Sequence, residues 1–529
     1  MKFRLPITLL VVIAVFSASQ FAGAANESKL WMPMIFGDNM VLQSGKATKV
    51  WGWASPGESI TVKIGDKKAK GKAGEDGKWM VTLKGLKETS EPQVLTIKGK
   101  DSTISYKNVL IGDVWLGSGQ SNMEWVVARS TAGKKEVSSA NYPKIRLFRI
   151  PGILSDKPSD DVSWEDNGTV FNGKQRVSDP NTPKGQWVVC SPQTVPAFSA
   201  VLYFFGREIH LQTGKPVGLV SSALGGTRIE MWTPLNVFYS APALADYGKW
   251  IDNDKAAYEE AVAKGPEAMK SINKDINSFR NFSKLYNGMI HPLISFGIKG
   301  VIWYQGEANG GEDDSYITKT DAMVSSWRKL WGRGEFPFYF VQLANWVKPN
   351  DAPEGGDGWA KIRDAQRKTI YAVPHTGMAS AIDIGNSEDI HPKDKQDVGK
   401  RLALWALKND YGFTNIVESG PLYKSMKIEG SKIRLSFDCV GTGLMVGEKD
   451  GISTTKEVAG GTLKWFAIAG ADKKWSWADA KIDGDTVVVS SQDVPNPVAV
   501  RYAFCMNPLG ANLYNKEGLP ASPFRTDNW

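Results

Sequence analysis

A serine that follows an apolar segment is the first residue whose type and position could do chemistry. The stretch GDVWLGSGQSNMEW runs from Gly112 to Trp125, and its apolar part leads through two glycines to Ser121. Glycines allow a tight turn and a close approach of substrate to the backbone. A serine at the start of the next helix would expose its hydroxyl beside free N–H groups that favour negative charge. We therefore predict a nucleophile at Ser121, with a helix N-cap serine as the alternative.

A serine nucleophile needs a base, and the chain has only four histidines. His391 lies in the loop DIGNSEDIHP, between the last apolar strand and a helical segment that begins at Lys395. Asp389 lies two residues before this histidine and Glu388 three before it. Either carboxylate could accept the second imidazole N–H and fix the tautomer. We predict His391 as the base and leave the acid open between the two carboxylates at this point.

Acyl transfer also needs hydrogen-bond donors for the developing oxyanion. The segment Ser222–Thr227 follows an apolar strand and includes Gly226, the second of two glycines whose backbone N–H groups can point inward. The segment Trp303–Asn309 closes another strand and offers the side-chain amides of Gln305 and Asn309. Two such stretches, each at a strand end, favour an ester hydrolase.

The elements that would position these residues alternate between buried strands and helices. Strand-like apolar runs and segments of helical periodicity follow each other through the middle of the chain. The runs are Val109–Leu116, Pro216–Val220, Gly300–Tyr304, Phe338–Leu343 and Met378–Ile384, and the helices are Ala200–Thr213, Lys361–Val373 and Lys395–Leu407. This alternation predicts a mainly parallel sheet with helices on both faces, which binds ligands at the carboxyl ends of its strands.

The first 24 residues predict export. Lys2 and Arg4 precede a short apolar run, and Ala22-Gly23-Ala24 is typical of the cleavage site of a secretory signal peptide. No later stretch is long and apolar enough for a membrane helix, so we expect a periplasmic or secreted protein with no membrane partner. Removal of this segment lowers the formal net charge from +8 to +6, because two basic residues and no acidic one are lost. Such a small excess, spread as single lysines, argues against a nucleic-acid partner.

Three further regions are predicted after the signal peptide. Short alternating strands separated by turns, at both ends of the chain, are typical of β-sandwich-like parts. The middle has the α/β alternation and a polar, helical insertion at about 250–283. The predicted regions are an N-terminal β domain at 25–107, an α/β domain at 108–412 and a C-terminal β-rich domain at 413–529.

Three cysteines are present, Cys190, Cys439 and Cys505. They are too few for a disulfide framework, although a Cys439–Cys505 bridge between two late strands is compatible with the pattern. No CxxC or HExxH spacing occurs, so a zinc site has no support. The sequence makes no prediction of the oligomeric state.

The motifs together resemble the sialate O-acetylesterase-like branch of the SGNH hydrolases. The matching stretches are GQSNM at 119–123, GGT at 225–227, LYNGMI at 285–290, YQGEAN at 304–309, DIHP at 389–392 and ANLYNKEGLPASPFRTD at 511–527. The resemblance extends from about residue 31 to the C-terminus. It implies a flavodoxin-like three-layer α/β/α hydrolase domain with added β domains, and a removal of O-acetyl groups from sugars that needs no metal or other cofactor.

The resemblance also implies roles for individual residues. Ser121 would be the nucleophile and His391 the base. The backbone amides of Ser121 and Gly226, with the side chain of Gln305, would form the oxyanion hole. The YQGEAN block has a glutamine, Gln305, where other SGNH enzymes use an asparagine. Leu224, just before the Gly-Gly pair, stands where a tryptophan is usual.

The resemblance leaves three candidates for the catalytic acid. The DIHP form favours Asp389, two residues before the histidine. Many SGNH enzymes space the acid three residues before it, which corresponds to Glu388. Related acetyl xylan esterases are described with an acid from the YQGEAN block, which corresponds to Glu307.

Three further residues are predicted to contact the substrate: Arg228, Trp232 and Asn309. An arginine just after the Gly-Gly turn could pair with the carboxylate of a sialic or uronic acid, with a surface ion pair as the alternative. The predicted function is an exported carbohydrate O-acetylesterase that acts on an O-acetylated sugar through an acyl-enzyme. The alternatives are an acetyl xylan esterase and, because the chain holds 20 tryptophans, a non-catalytic carbohydrate-binding protein on a hydrolase scaffold.

Overall fold

The computed structural model describes residues 30–162, 170–171, 174–175, 185–350 and 352–529. The predicted signal peptide, residues 1–24, lies outside the described residues. Within these ranges, no helix combines the length and the apolar character that a membrane crossing requires.

A mixed sheet occupies the middle of the described chain. Its main row has seven strands, ordered β3-β2-β4-β1-β5-β6-β7. In chain order they are β1 (Thr103–Gly119), β2 (Tyr142–Arg149), β3 (Trp187–Cys190), β4 (Val217–Ala223), β5 (Gly300–Tyr304), β6 (Phe338–Gln342) and β7 (Thr376–Ser380). All neighbouring pairs are parallel except β3 with β2. The carboxyl ends of β1, β4, β5, β6 and β7 therefore lie along one edge.

Sequence analysis found five of these strands and missed β2 and β3. The sequence of β2, YPKIRLFR, begins beside a proline and carries basic residues, so it does not read as an apolar run. Its Arg146 is nevertheless buried, because the guanidinium donates hydrogen bonds to the carbonyl oxygens of Asn39 and Asn108 at 3.2 and 3.3 Å. The last predicted strand, Met378–Ile384, extends too far along the chain, because β7 ends at Ser380.

β1 is long enough to belong to two regions at once. Its first half pairs with strands of the N-terminal β region and its second half with β4 and β5. The strand is thus continuous across residue 108, where the sequence predicts the start of the α/β region. The N-terminal strands are Val41–Gln43, Thr48–Trp53, Ser59–Ile64, Lys67–Lys72, Lys78–Leu83 and Thr89–Lys98.

Two pairs of helices pack against each other beside the sheet: Ala200–Thr213 with Lys395–Asp410, and Asp314–Trp331 with Ala360–Ala372. The predicted helical insertion contains the helix Ala245–Lys264, after which the chain forms only short 3₁₀ turns up to Asn281. Shorter helices are Ser121–Glu124, Gly133–Ser139 and Leu235–Ser240.

The C-terminal part consists of antiparallel sheets with their own apolar core. Its main strands are Leu422–Glu429, Lys432–Asp438, Leu444–Glu448, Phe466–Gly470, Trp475–Trp477, Asp479–Asp483, Thr486–Ser490, Pro497–Tyr502 and Leu513–Asn515. The fully buried Arg363 joins this part to the rest, because its guanidinium donates to the carbonyls of Leu343 and Cys505 at 2.9 and 2.7 Å. All three cysteines are free thiols, so the Cys439–Cys505 bridge is absent.

Candidate active site

The turn that carries Ser121 is fixed by the ends of both neighbouring strands. Gly119 ends β1 with φ +134°, and a Cβ at this position would lie 2.1 Å from the Tyr304 carbonyl oxygen, so only glycine fits. The Gln120 N–H donates to the same carbonyl at 2.9 Å, and the Leu224 N–H donates to the Gly119 carbonyl at 3.1 Å. The short helix Ser121–Glu124 starts directly after this turn.

The structure brings Ser121, His391 and Asp389 into one hydrogen-bonded row. Ser121 Oγ lies 2.9 Å from His391 Nε2, and Asp389 Oδ1 lies 3.1 Å from His391 Nδ1. The same carboxylate oxygen accepts the His391 backbone N–H at 2.9 Å, which closes the short loop around the histidine. With a proton on Nδ1, Nε2 is free to accept the serine proton, as general-base catalysis requires.

The surroundings keep the His391 imidazole uncharged. Burial lowers its pKa below the usual value; the Asp389 hydrogen bond opposes this effect, and the positive charges of Lys395 and Arg129 add to it. Partial burial alone would raise the pKa of Asp389, but the His391 backbone N–H and imidazole hold it below its ordinary value. The indole of Trp125 stacks on the imidazole, with ring centroids 5.1 Å apart and planes 22° apart. A neutral base beside an ionised acid is the combination that serine activation needs.

Of the three carboxylates considered for the catalytic acid, only Asp389 contacts His391. Glu388 is exposed to solvent. Its backbone N–H donates to the side-chain oxygen of Asn386 and not to His391. Glu307 Oε1 accepts a hydrogen bond from Asn122 Nδ2 at 2.6 Å instead. Glu307 is half-buried as a residue, but its Oε2 is shielded from solvent and has no hydrogen-bond partner among the described residues.

Two backbone amides of the predicted oxyanion hole are free to donate. Among the hydrogen bonds of the described residues, neither the Ser121 N–H nor the Gly226 N–H has a protein acceptor. Gly225, the glycine before Gly226, packs directly on the nucleophile, since a Cβ there would lie 3.0 Å from Ser121 Cβ. Gly226 has φ +72°, a left-handed conformation that favours glycine. The Gly-Gly turn thus lies against the serine, as the motif pattern predicts.

Gln305 and Asn309 are engaged in the interior rather than exposed to a substrate. Both are buried, and the Gln305 amide nitrogen donates to the Thr227 carbonyl at 3.1 Å and to Asn309 Oδ1 at 2.7 Å. The Asn309 amide nitrogen donates to Glu230 at 3.0 Å. Gln305 could join the oxyanion hole only by giving up one of its acceptors, and Asn309 supports the Gly-Gly turn by accepting the Ile229 N–H at 3.0 Å.

The structure corrects the predicted roles of Trp232 and Arg228. Trp232 is completely buried, and its indole N–H donates to Thr227 Oγ1 at 3.1 Å, so it cannot form a pocket wall for a sugar. Arg228 forms ion pairs with Glu230 at 3.1 Å and with Glu312 at 2.5 Å. Glu230 is only two residues away in the sequence, whereas Glu312 comes from a distant loop, so the sequence could not reveal the second pair. The guanidinium is already neutralised, which removes the main reason to assign it a substrate carboxylate.

The geometry agrees with what comparison with known proteins finds. Residues 111–408 match the model of a family described as carbohydrate esterase, sialic acid-specific acetylesterase. The chain belongs to this family. It is therefore a carboxylic ester hydrolase, and the family implies an O-acetylated sugar as substrate. The resemblance drawn from the motif blocks is confirmed.

Relatives of this esterase cover almost its whole length. Mouse sialate O-acetylesterase is 30% identical over 98% of this chain and 97% of its own, and the human protein is 29% identical over 92% and 90%. The crystal structure of a carbohydrate acetylesterase from Xanthomonas citri superimposes with a TM-score of 0.78 at 37% identity. It covers 94% of this chain and 100% of its own.

Three residues near Ser121 were missed by sequence analysis. Asn122 directly follows Ser121, and Lys395 lies four residues after His391; both are buried beneath the site. Arg129 is exposed, and its guanidinium carbon lies 4.0 Å from the centre of the Trp125 ring that stacks on the histidine. The signal available for the first two was a polar residue one or four positions after a motif residue.

Proposed function

We propose that this esterase hydrolyses O-acetyl esters of sialic acids through an acetyl-enzyme intermediate on Ser121. The observation that carries the proposal is the row Ser121 Oγ, His391 and Asp389, with 2.9 and 3.1 Å between successive partners. The arrangement contains a nucleophile, a base and an acid that fixes the base, which are the parts that acyl transfer to serine requires.

In the proposed mechanism, Ser121 Oγ attacks the acetyl carbonyl carbon while His391 Nε2 accepts the hydroxyl proton. The carbonyl π electrons move to its oxygen, and the N–H groups of Ser121 and Gly226 stabilise that oxyanion. His391 then gives its proton to the departing sugar oxygen as the C–O ester bond breaks. A water molecule, deprotonated by the same imidazole, attacks the carbonyl carbon of the acetyl-serine. His391 returns that proton to Ser121 Oγ as the acyl C–O bond breaks and acetate leaves. Asp389 remains ionised throughout and stabilises the imidazolium.

The finer features of fold and localisation are part of this proposal. We propose that the α/β part, residues 108–412, is a three-layer α/β/α domain of the SGNH type; the two packed helix pairs beside a largely parallel sheet support this arrangement. The separate core of the C-terminal sheets supports a domain boundary near residue 413. The proposed export to the periplasm or the medium rests on the sequence of residues 1–24.

An anionic sugar is favoured as substrate by Arg129. This exposed guanidinium has no carboxylate within ion-pair distance among the described residues, and it lies over the Trp125 ring, which also stacks on His391. Its charge is near enough to the base to lower the pKa of the His391 imidazole. A planar, unpaired guanidinium is suited to bind the carboxylate of a sialic acid whose acetyl group reaches Ser121.

The test of catalysis is acetate release from di-O-acetyl sialic acid and from acetyl-xylo-oligosaccharide. We expect the wild-type protein to prefer the sialic acid, and the folded Ser121→Ala variant to lose nearly all activity on both. A folded Ser121→Ala protein with wild-type rates would overturn the mechanism. A preference for the xylo-oligosaccharide would overturn the substrate assignment and favour an acetyl xylan esterase.

The test of Arg129 separates charge recognition from chemistry. Arg129→Met should raise KM for di-O-acetyl sialic acid by roughly tenfold, equivalent to about 1.4 kcal/mol, and leave KM for neutral p-nitrophenyl acetate unchanged. Lys134→Met is the matched control, because it removes another exposed cation that lies a short distance further along the chain. Equal KM values for the two variants on the sialic acid would exclude the assigned role.

A further inference from the structure

The side chain of Asn122 connects the two segments that carry the nucleophile and the base. Asn122 directly follows Ser121, and its amide nitrogen donates to the backbone carbonyl of Ile390 at 3.2 Å. Ile390 directly precedes His391. One partly buried hydrogen bond therefore spans the positions adjacent to both reacting side chains, although they are 270 residues apart in sequence.

Two buried ionisable groups fix the orientation of this amide. Glu307 Oε1 accepts from Asn122 Nδ2 at 2.6 Å, and Lys395 Nζ donates to Asn122 Oδ1 at 2.5 Å. An ionised carboxylate has no hydrogen to donate, so it can only accept from the NH₂ group, and a protonated lysine can only donate to the amide carbonyl. Rotation of the amide by 180° would break both bonds. The Asn122 side chain consequently has one orientation, and that orientation directs its nitrogen towards Ile390.

The charged groups around this cluster act on the catalytic base. Burial lowers the pKa of Lys395 to about 7, while the carboxylates of Glu307, Asp389 and Asp394 oppose this shift. Burial raises the pKa of Glu307, and the Asn122 hydrogen bond and the charge of Lys395 oppose it. The charged groups that face His391 are Asp389, Lys395 and Arg129. Lys395 Nζ lies 5.9 Å from the centre of the Trp125 ring, which stacks on the imidazole. Lys395 is the fully buried one of the two cations, so its charge is the less screened by solvent.

This arrangement gives Glu307 a function other than that of the catalytic acid. Its Oε1 is bonded to Asn122, and its Oε2 has no partner among the described residues. The acid position at His391 Nδ1 is already held by Asp389. Glu307 therefore affects the site through Asn122 and Lys395 rather than through the imidazole. A buried carboxylate and a buried ammonium that lacked this function would be a costly feature to retain.

We propose that Lys395, Asn122 and Glu307 form a positioning cluster that holds Ser121 against His391, and that the Lys395 charge adds to burial in favouring the neutral imidazole. The inference rests on the proposed catalytic function of Ser121 and His391. The cluster does not touch the reacting atoms; it acts through the backbone at Ile390 and through the electrostatic potential at the histidine.

The decisive variant is Lys395→Gln, which removes the positive charge and keeps an N–H donor for Asn122. A cation disfavours protonation of a neighbouring imidazole, so its removal raises the pKa of His391. The acid limb of the kcat/KM profile should therefore move to higher pH in this variant. Lys408→Met is the control. Lys408 belongs to the same helix but lies near its far end, away from the site, where it pairs with Glu418. The control should leave the limb in place.

A second readout does not depend on activity. The chain has only four histidines, so the His391 imidazole can be followed by NMR titration in the wild type, in Lys395→Gln and in Lys408→Met. We expect a higher midpoint for His391 in Lys395→Gln only. An unchanged midpoint and an unchanged acid limb in folded Lys395→Gln would overturn the proposed charge effect. If the wild type released no acetate, the proposed function would fail, while this titration would still test the cluster.

The positioning function is tested with Glu307→Gln and Asn122→Ala. Glu307→Gln keeps an oxygen acceptor for Asn122 and removes the charge, and Asn122→Ala removes the connection to Ile390. We expect kcat to fall roughly tenfold or more in Asn122→Ala, with KM for p-nitrophenyl acetate nearly unchanged, because the hydrogen bonds of the Asn122 amide to Ile390, Glu307 and Lys395 are all lost next to the reacting groups. Glu307→Gln should lose less. A loss in Glu307→Gln as large as that in Asp389→Ala would instead make Glu307 the catalytic acid and refute the proposal.

Discussion

The substitution Asp389→Ala tests the assignment of the catalytic acid. Asp389 Oδ1 accepts both the His391 imidazole at 3.1 Å and the His391 backbone N–H at 2.9 Å, so alanine removes two bonds from the base. The side chain is about one third exposed, at 35%, and solvent will replace part of what is lost. A hydrogen bond to a charged group contributes about 1.5–3 kcal/mol. Loss of that amount from the transition state corresponds to a roughly 10- to 150-fold lower kcat/KM.

The assay is the initial rate of acetate release from di-O-acetyl sialic acid, with circular dichroism as the check of folding. Glu388→Ala is the matched control, because it removes an exposed carboxylate from the neighbouring position. We expect the control to stay within about twofold of the wild type, as surface substitutions usually do. Asp389→Asn should fall between the two, because it keeps an oxygen acceptor but loses the charge. A larger loss in Glu388→Ala than in Asp389→Ala would refute the assignment.

Three further outcomes follow from the structure. Since the base must be neutral and burial lowers the pKa of His391, the acid limb of wild-type kcat/KM should lie below the ordinary histidine value of 6.5, and a limb above it would contradict the electrostatics. Gly225→Ala should lower kcat roughly three- to tenfold without unfolding, because the new Cβ pushes against Ser121 Cβ at 3.0 Å; a structure of the variant will show the displaced serine. Lys319→Met should lower the free energy of unfolding by about 3–5 kcal/mol, measured by urea titration, because it leaves Glu230 buried with one cation fewer; a loss under 1 kcal/mol would contradict this.

The meeting of Ser121 and His391 was predictable only in part. Both follow parallel strands, so both belong to the same edge of the sheet. However, β7 is three places away from β1, which corresponds to about 14 Å at the usual strand spacing. The loop after β7 must cross the ends of β6 and β5 to reach the serine. It is held there by the Arg401–Asp383 ion pair at 2.7 Å, which no local pattern in the sequence indicates.

Residue type and motif position identified candidate residues at the strand ends, but not the exposure of each side chain. Gln305 and Asn309 were predicted correctly to lie at a strand end, yet both amides are consumed by buried hydrogen bonds with Thr227 and Glu230. Their surroundings depend on Arg228 and Lys319, which both pair with Glu230. Arg228 and Lys319 are distant from each other in the sequence and come together only in the folded chain. Sequence can place a polar residue near a site, whereas its partners decide whether it faces the substrate.

The most direct test of the central claim is to locate the acetyl group during turnover. The esterase is mixed with p-nitrophenyl acetate, quenched in acid within milliseconds and digested, and the peptide that contains residues 119–125 is analysed by mass spectrometry. We predict an added acetyl group on Ser121 in the wild type and none in His391→Ala, which lacks the base. An acetyl group on another residue, or equal labelling in the folded His391→Ala protein, would contradict a nucleophilic Ser121 activated by His391.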